Sequence, residues 1–324
     1  MRIAFQTDPF AGLTTKGDTT FALALEAQAR GFELWEYEPR DLRLEGDRVT
    51  ARAARLLNLK DQQGGHAERS EAADLDLAEM DVILIRQDPP FDMVYMTACY
   101  MLEKLPESVL VLNDPAEIRG APEKLFVMDY PELMPPTLVT ADEEALRAFR
   151  DRHEDMILKP LYGNGGAGVF RVRPGDENFS SLLEMFLAGP RPLPVIAQAY
   201  LKEVRGGDKR VLLLDGEPVG AINRVPAEGE ARSNMHVGGR AEPCELSERD
   251  LEICAAIAPE LKERRLVLTG IDVIGGYMTE INVTSPTGIR ELKRFGGPDM
   301  AAMFWDWCAR EKLPLETTRA ESSL

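Results

Sequence analysis

The sequence has few of the residues that most small catalytic and metal sites use. It holds four cysteines and three histidines in 324 residues, and no two cysteines form a C-x-x-C pair. Widely spaced cysteines argue against a disulfide framework and a thiolate zinc site, and predict core thiols in a reducing compartment. Three histidines do not supply a Ser-His-Asp or Cys-His set, and His66 has no partner residues nearby.

Long apolar runs and an excess of basic charge are also missing. No stretch approaches the length of a membrane span, and Asp8 precedes any apolar segment of a signal peptide. The chain has 38 basic and 55 acidic residues, a net charge of −17 that repels nucleic acids and anionic membranes. We therefore expect a soluble, cytoplasmic protein in which any anionic ligand meets a local basic cluster.

What the sequence does contain is enough apolar content, 44%, for two or three domains. Strand and helix patterns alternate over residues 1–120, which predicts an N-terminal parallel α/β domain. Within it, residues 60–76 are polar, contain glycine and lack periodicity. We expect them to form a mobile surface insertion away from any site.

Two further units follow, in which the strand and helix patterns no longer alternate regularly and predict an α+β arrangement. Residues 121–201 form a central unit with a glycine-rich loop, and residues 202–312 form a C-terminal unit. The latter opens with two strands joined at Asp215-Gly216, an antiparallel hairpin signal, and includes a second glycine-bearing loop at 226–240. Residues 313–324 are rich in Glu, Thr and Ser and predict a flexible tail.

The glycine-rich loop lies in the stretch ILKPLYGNGGAGVFRV, residues 157–172. Gly163, Gly165 and Gly168 have the G-x-G-x-x-G spacing of a dinucleotide-binding turn, which requires a following helix. Val169 begins an alternating run that predicts a strand instead. A loop between two strands can fold over phosphates, with Lys159 as a nearby cation. The alternative is an ordinary hairpin whose glycines only satisfy positive φ.

Three oxygen-bearing side chains converge near the C-terminal end. Asp272 lies on one predicted strand, and Glu280 and Asn282 lie two residues apart on the next, so this pair shares one face. Carboxylate and amide oxygens are the ligands that Mg²⁺ prefers. The alternative is a solvated polar face on an edge hairpin, but the apolar residues between them indicate that the strands face a core.

Basic residues gather in the same half of this acidic chain, which favours an anion pocket over scattered surface charge. They are Lys124, Lys159, Arg210, Arg224, Arg232, Arg240 and Arg290. No Walker sequence occurs. Lysines, a glycine loop, arginines and a three-oxygen site together suit the binding of a nucleoside triphosphate and transfer of its terminal phosphoryl group.

Several long blocks, in order, resemble the bacterial glutathione synthetases of the ATP-grasp superfamily over residues 1 to about 310. They are DPPFD (88–92), EKLF (123–126), the block at 157–172, GDKRVLLLDGEPVGAINRVP (207–226) and GIDVIGGYMTEINVTSPTGIRE (270–291). The resemblance implies an ATP-grasp fold behind an N-terminal α/β domain. It also implies ATP-dependent joining of γ-glutamylcysteine to glycine through an acyl phosphate, with Mg²⁺ or Mn²⁺, in a cytoplasmic homotetramer.

The resemblance also implies roles for individual residues. The nucleotide would contact two lysines, the glycine loop, a hinge and a ribose-side acid: Lys124, Lys159, Gly163, Asn164, Gly165, Gly166, Gln198, Ala199, Tyr200, Leu201 and Asp208. Asp272, Glu280 and Asn282 would hold the metal, and Arg210 and Arg224 would face the acyl phosphate. The substrate would contact Lys16, Asp18, Arg86, Asp88, Arg232, Asn282, Ser285, Pro286 and Thr287. The loop at 226–240 is similar to the family's second mobile lid.

Alternatives remain at this stage. Asp18 is equally suited to cap a helix. The chain could be another ATP-grasp ligase with a different acid and amine, because specificity lies in the first domain and the lids. Two alternatives come from other functional classes, a nucleotide-binding oxidoreductase and a non-catalytic regulator. The absence of a predicted helix after Gly168 argues against the oxidoreductase, and the intact set of Asp272, Glu280 and Asn282 argues against the regulator.

Overall fold

The structure is a computed structural model that describes residues 1–163, 165–228 and 238–321. Among the predicted features, Asn164, Arg232, residues 229–237 of the second lid and residues 322–324 of the tail lie outside the described residues. Within the described ranges, no helix combines the length and the hydropathy that crossing a bilayer requires.

The N-terminal domain is built on a mixed sheet with the order β3-β4-β2-β1-β7-β8. Its strands are β1 (Arg2–Gln6), β2 (Glu33–Tyr37), β3 (Leu42–Glu45), β4 (Arg48–Leu59), β5 (Ala67–Arg69), β6 (Ala73–Asp76), β7 (Val82–Ile85) and β8 (Leu110–Leu112). The helices are α1 (Thr19–Ala29), α2 (Met93–Leu102) and α3 (Pro115–Arg119). Strands β2, β1, β7 and β8 run parallel, which confirms the predicted parallel α/β arrangement at the centre of the sheet.

The prediction for residues 60–76 was wrong. Strands β5 and β6 both pair with the long strand β4, so much of the segment belongs to the sheet. His66 is buried, with Nε2 2.7 Å from the Phe10 carbonyl oxygen, and Gln63 accepts a hydrogen bond from the Thr15 backbone. The segment therefore contacts the loop that carries Lys16. These strands have too few residues to show a periodic sequence pattern. Pairing with β4, rather than a buried face of their own, stabilises them.

The central unit is an antiparallel sheet with the order β11-β10-β12-β9, covered by two helices. Its elements are α4 (Glu123–Phe126), β9 (Thr137–Thr140), α5 (Glu143–His153), β10 (Met156–Pro160), β11 (Phe170–Val172), α6 (Phe179–Phe186) and β12 (Val195–Ala199). Between α5 and the sheet lies a core of its own, with Leu146, Phe149 and Leu158 at its centre. The apolar periodicity of α5 and α6 builds this core from residues 138–197 alone.

The C-terminal unit has an antiparallel sheet with the order β15-β14-β13-β16-β17. Its elements are β13 (Asp208–Leu214), β14 (Glu217–Val225), β15 (Arg240–Cys244), α7 (Glu248–Glu263), β16 (Leu268–Ile274), β17 (Tyr277–Asn282), α8 (Ile289–Arg294) and α9 (Met300–Glu321). The turn between β13 and β14 places Asp215 and Gly216 at φ 51° and 74°, which confirms the predicted hairpin. Short 3-10 turns occur at Phe10–Gly12, Pro39–Asp41, Leu77–Glu79, Val127–Asp129, Pro131–Leu133 and Lys202–Gly206.

The first and last parts of the chain share their hydrophobic cores. One cluster contains Phe21 and Leu23 of α1 together with Phe304 and Trp305 of α9, and Trp305 donates its indole hydrogen bond to the Leu23 carbonyl at 2.8 Å. Helix α9 continues through most of the stretch predicted as a flexible tail, to Glu321. The N-terminal domain and the C-terminal unit thus form one packed body that includes α4, whereas the central sheet with α5 and α6 has a separate core.

Candidate active site

A cleft of about 850 Å³, open mouth included, lies between the central sheet and the C-terminal sheet. We call it the central cleft. Every predicted nucleotide residue that the structure describes lines it: Lys124, Lys159, Gly163, Gly165, Gly166, Gln198, Ala199, Tyr200, Leu201 and Asp208. Asp272 and Glu280 line it as well.

The glycine loop, residues 163–168, lies between β10 and β11, which pair antiparallel with Leu158 opposite Phe170. This confirms that a strand follows the loop, so the geometry of a dinucleotide-binding helix is not formed here. A Cβ at Gly163 would lie 2.6 Å from Pro160 Cγ, and Gly165 and Gly166 have φ of 61° and 82°. The loop therefore needs glycine both for close approach and for a left-handed backbone.

Two buried lysines face one carboxylate across the central cleft. Glu280 Oε1 lies 3.4 Å from Lys159 Nζ and 3.8 Å from Lys124 Nζ, and Lys124 also donates to the Gly163 carbonyl. Burial opposes the ionisation of Glu280, but the charges of Lys124 and Lys159 outweigh it, so the pKa of Glu280 is lowered. Both ion pairs are longer than a charge-assisted hydrogen bond, so neither lysine is tightly bound to Glu280.

Asp272 is the centre of a buried ionic network. Its Oδ1 accepts from Arg210 Nε at 2.5 Å, and its Oδ2 lies 3.0 Å from Arg210 Nη2 and 2.9 Å from Arg224 Nη2. Arg224 Nη2 also pairs with Asp208 Oδ2 at 2.7 Å. Although burial disfavours the ionised form, the two arginines hold the pKa of Asp272 well below its ordinary value. The network fixes both guanidinium groups at the edge of the cleft.

The three predicted metal ligands differ in availability. Glu280 faces the cleft, and Asn282, at the end of β17, has a buried amide nitrogen without a hydrogen-bond partner among the described residues. Because the nitrogen and oxygen positions of an Asn side-chain amide can be exchanged by a flip of the amide, the atom without a partner can be the oxygen. An unpaired amide oxygen at this position fits a ligand for a cation. Asp272 has both oxygens engaged by arginines. Within the described part of the chain, no three His, Cys, Asp or Glu residues form a metal cluster, so the donor set depends on the Asn282 amide and on phosphate oxygens.

Arg86 connects the N-terminal domain to the loop after β17. Its Nε donates to Thr20 Oγ1 at 3.0 Å and its Nη2 to the Pro286 carbonyl at 3.1 Å. Ser285 Oγ donates in turn to the Arg86 carbonyl at 3.3 Å. Burial lowers the pKa of Arg86, and the nearby carboxylates of Asp18 and Asp88 oppose that shift. The structure thus brings together most of the predicted substrate residues around one buried cation.

Two predicted substrate residues are placed differently. Asp18 accepts from Phe21 N at 2.6 Å and caps α1, so the capping alternative is confirmed, although its carboxylate also lies near Arg86. Lys16 is exposed and lines another cavity, between α1 and α8, beside Arg290. Arg290 itself pairs with Asp61 at 2.6 Å rather than facing the central cleft.

Sequence reasoning missed the apolar walls of the cleft and several supporting residues. Ile157 and Ile274 line the cleft beside Lys159 and Asp272, two residues away on the same strands. The strand alternation that placed the charged residues could have found them. Asn113 was not identifiable, because its amide bonds the backbone of Leu268 and Val283, more than 150 positions later.

Two family models together match almost the whole chain. "Prokaryotic glutathione synthetase, N-terminal domain" matches residues 1–119, and "Prokaryotic glutathione synthetase, ATP-grasp domain" matches residues 123–297. The glutathione synthetases of Mesorhizobium japonicum and Brucella melitensis are each 56% identical over 306 residues, 94% of this chain and 97% of the relative. That of Vibrio cholerae is 45% identical, over 90% of this chain and 92% of its own.

Solved structures agree on the fold. The D-cycloserine synthetase DcsG aligns with a TM-score of 0.67 at 17% identity, covering 96% of this chain and 99% of its own. The ATP-grasp ligase PsnB, complexed with a minimal precursor, Mg and ADP, aligns with a TM-score of 0.61 at 17% identity, covering 96% and 98%. With the ATP-grasp fold shared and two family models covering both domains, this chain belongs to the prokaryotic glutathione synthetase family.

Proposed function

We propose that the chain catalyses the ATP-dependent joining of γ-glutamylcysteine to glycine, giving glutathione, ADP and phosphate. The observation that carries the proposal is the convergence of two lysines, a glycine loop and Glu280 in one cleft. The cleft adjoins the network around Arg86, in a chain whose relatives are glutathione synthetases over 94% of its length.

The proposed nucleotide site uses positive charge from the chain itself. Lys124 and Lys159 would hold the phosphates, the glycine loop would cover them with backbone N–H groups, and residues 198–201 would border the base. Lys124 and Lys159 line the cleft, and Arg210 and Arg224 pair with its carboxylates Asp272 and Asp208. Four cations gathered at one cleft fit an anion in a chain of net charge −17.

The proposed chemistry proceeds in two steps. A carboxylate oxygen of γ-glutamylcysteine attacks the terminal phosphorus, the bond to ADP breaks, and an acyl phosphate forms. The amine of glycine then attacks the acyl carbon, phosphate leaves, and the amine loses a proton. Arg210 Nη1 lies 3.4 Å from the Thr287 carbonyl, a long contact that leaves it available to neutralise the acyl phosphate beside Arg224. Arg86 and residues 285–287 would position the acid.

A metal site completes the proposal. Glu280 and Asn282, with Asp272, would hold Mg²⁺, or Mn²⁺ in its place; bound metal would offset the charge of the transferring phosphoryl group. Asn164 and Arg232 stay predictions, as does a substrate contact by Lys16. A homotetramer and a cytoplasmic location rest on the family resemblance.

The deciding experiment measures phosphate release and glutathione formation by the purified protein with ATP and Mg²⁺. We expect turnover with γ-glutamylcysteine plus glycine, and none above background with paired alanines or with glutamate plus cysteine. Turnover only with another pair would support a different ATP-grasp ligase. Nucleotide binding without turnover of any pair would support the non-catalytic alternative.

A further inference from the structure

The sheet of the central unit and its helices α5 and α6 form a core separate from the other two cores. Helix α4 and the turns after it, with Phe126, Val127 and Leu133, pack instead in a core shared with the N-terminal domain and the C-terminal unit. On the cleft side, the described contacts between the central sheet and the rest of the molecule include the Lys159–Glu280 pair and the hydrogen bond from Lys124, on α4, to the Gly163 carbonyl. These polar contacts lie where the phosphates would bind.

An aromatic contact crosses the same boundary beside the glycine loop. Tyr162, the residue before Gly163, stacks on Phe91, with ring centroids 6.4 Å apart and planes 23° from parallel. Phe91 belongs to the DPPFD loop, residues 88–92 of the N-terminal domain, and packs in turn on Tyr95, 5.3 Å away. We call Tyr162, Phe91 and Tyr95 the aromatic row.

The far end of the aromatic row lies at the acid-binding residues. Tyr95 is 2% exposed, and its backbone N–H bonds Asp92, the cap of α2, so the DPPFD loop and the ring move together. The phenol of Tyr95 is close enough to Arg86 and Asp88 for both charges to affect its pKa, which burial raises. Asp88 is itself three residues before Phe91, and its N–H bonds Asp8 at 3.0 Å.

The junction is packed but not rigidly filled. A cavity of about 20 Å³ lies among Pro89, Phe91, Leu161, Tyr162 and Thr284. Tyr162 is 38% exposed, so its ring can shift with the glycine loop, whereas Tyr95 is fixed in the core. A stacked pair between an exposed ring and a buried one couples the two sides, and this coupling acts in both directions.

We propose that Tyr162, Phe91 and Tyr95 are positioning residues that couple the glycine loop to the acid-binding residues Arg86 and Asp88. This inference rests on the proposed function for the identity of the acid, but the coupling itself concerns the nucleotide and the DPPFD loop. When a nucleotide occupies the cleft beside Gly163, the stacked rings hold residues 88–95 in one arrangement. Binding of nucleotide therefore prepares the acid site.

Hydrogen exchange tests the coupling without reference to the acid. Exchange is followed in peptides covering residues 88–95, with and without a saturating non-hydrolysable ATP analogue and Mg²⁺. An aromatic pair can change an opening equilibrium about two- to tenfold, so we expect the analogue to slow exchange in the wild-type loop by that factor. In Tyr162→Leu, at saturation confirmed by calorimetry, we expect that slowing to be lost while the lining strands of the cleft stay protected.

Matched variants separate coupling from damage to the fold. Tyr162→Phe keeps the ring and should keep the slowing. Phe186→Leu removes an edge-to-face ring contact inside the central unit, with centroids 5.9 Å apart from Phe170, and should keep the slowing too. Slowing that persists in Tyr162→Leu, or that is absent from the wild-type protein, would overturn the proposal.

A second measurement reaches the acid site. The affinity for γ-glutamylcysteine is measured by calorimetry with and without the analogue. We expect the analogue to tighten binding in the wild-type protein, and Phe91→Leu to reduce this gain about two- to tenfold. An unchanged gain in Phe91→Leu contradicts the coupling, whereas failure of the wild-type protein to form glutathione contradicts the proposed function and leaves the exchange result standing on its own.

Discussion

Glu280 is the predicted metal ligand whose carboxylate is most available to a cation. Lys159 donates a long hydrogen bond to it at 3.4 Å and Lys124 lies 3.8 Å away, and the charge of Arg210 also acts on it. The lysines keep it ionised despite burial, which is the form that a cation needs. Asp272, by contrast, is occupied by Arg210 and Arg224 and acts first as their anchor. The structure thus distinguishes an available metal ligand, Glu280, from one that is paired with arginines, Asp272. The sequence showed only that both residues lie on neighbouring strands.

We predict that Glu280→Gln removes metal-dependent turnover, because the amide keeps the shape but not the negative charge. The expected loss is about a hundredfold or more at saturating ATP and Mg²⁺. Glu217→Gln is the control, since Glu217 is exposed and pairs only with Lys262 in the described contacts. Phosphate release by both variants is compared with the wild type; equal rates for Glu280→Gln and wild type would refute the metal assignment.

Among the elements, α7 shows how local sequence signals and long-range contacts combine. Ser247 and Asp250 form a capping box, with Asp250 N–H bonding Ser247 Oγ and Ser247 N–H bonding Asp250 Oδ2 at 2.8 Å. Asp250 is 2% exposed and also pairs with Lys209 of β13 at 2.5 Å. The cap therefore fixes α7 against the strand that carries Arg210.

The same cap predicts a dependence of stability on pH. Burial opposes ionisation of Asp250, but Lys209 and Ser247 outweigh it and lower its pKa. The ionised form thus stabilises the fold above a pH of about 4, and this contribution is lost as the pH falls further. We expect Asp250→Asn to reduce the free energy of unfolding by about 1–2 kcal/mol at neutral pH, with a smaller difference at a pH of about 3.

Denaturant unfolding followed by tryptophan fluorescence measures this effect. Glu252→Gln, on the exposed face of the same helix, is the control and should change the free energy of unfolding by less than about 0.5 kcal/mol. A difference for Asp250→Asn that stays constant with pH would show that the charge of Asp250 is not the cause.

Elements with a clear period or a strong turn signal could be predicted from the sequence. The parallel strands of residues 1–120 and the hairpin at Asp215-Gly216 are where their patterns place them, because buried strands alternate with helices in the first and one special turn is needed in the second. Strands β5 and β6 could not be found, because three or four residues show no period and depend on β4 for pairing. For the site, neighbours along a strand were predictable; contacts such as Asn113 with Val283 were not, because only the tertiary fold joins them.

At the scale of the whole molecule, two bodies meet at the central cleft. The three tryptophans, Trp35, Trp305 and Trp307, all belong to the body formed by the N-terminal domain and the C-terminal unit. The central unit has none, and its core is built around residues such as Leu146. Tryptophan fluorescence and amide exchange can therefore report on the two bodies separately.

We predict that Leu146→Ala loosens the central unit alone. Loss of a fully buried leucine should reduce local stability by about 2–5 kcal/mol and speed exchange in β9, β10 and β12, while the fluorescence transition stays near its wild-type midpoint. Leu23→Ala is the matched variant in the other body and should shift the fluorescence transition instead. A shift of equal size in both variants would mean that the two bodies unfold as one.

The packing of α9 on α1 also has a consequence for biosynthesis. When the ribosome has made the first 120 residues, Phe21 and Leu23 still lack the cover that Phe304 and Trp305 provide. At about 5–20 residues per second, that cover emerges roughly ten seconds or more later. The nascent N-terminal domain therefore exposes an apolar surface to solvent for most of translation. Its hydrophobic core can form completely only after helix α9 has been synthesised.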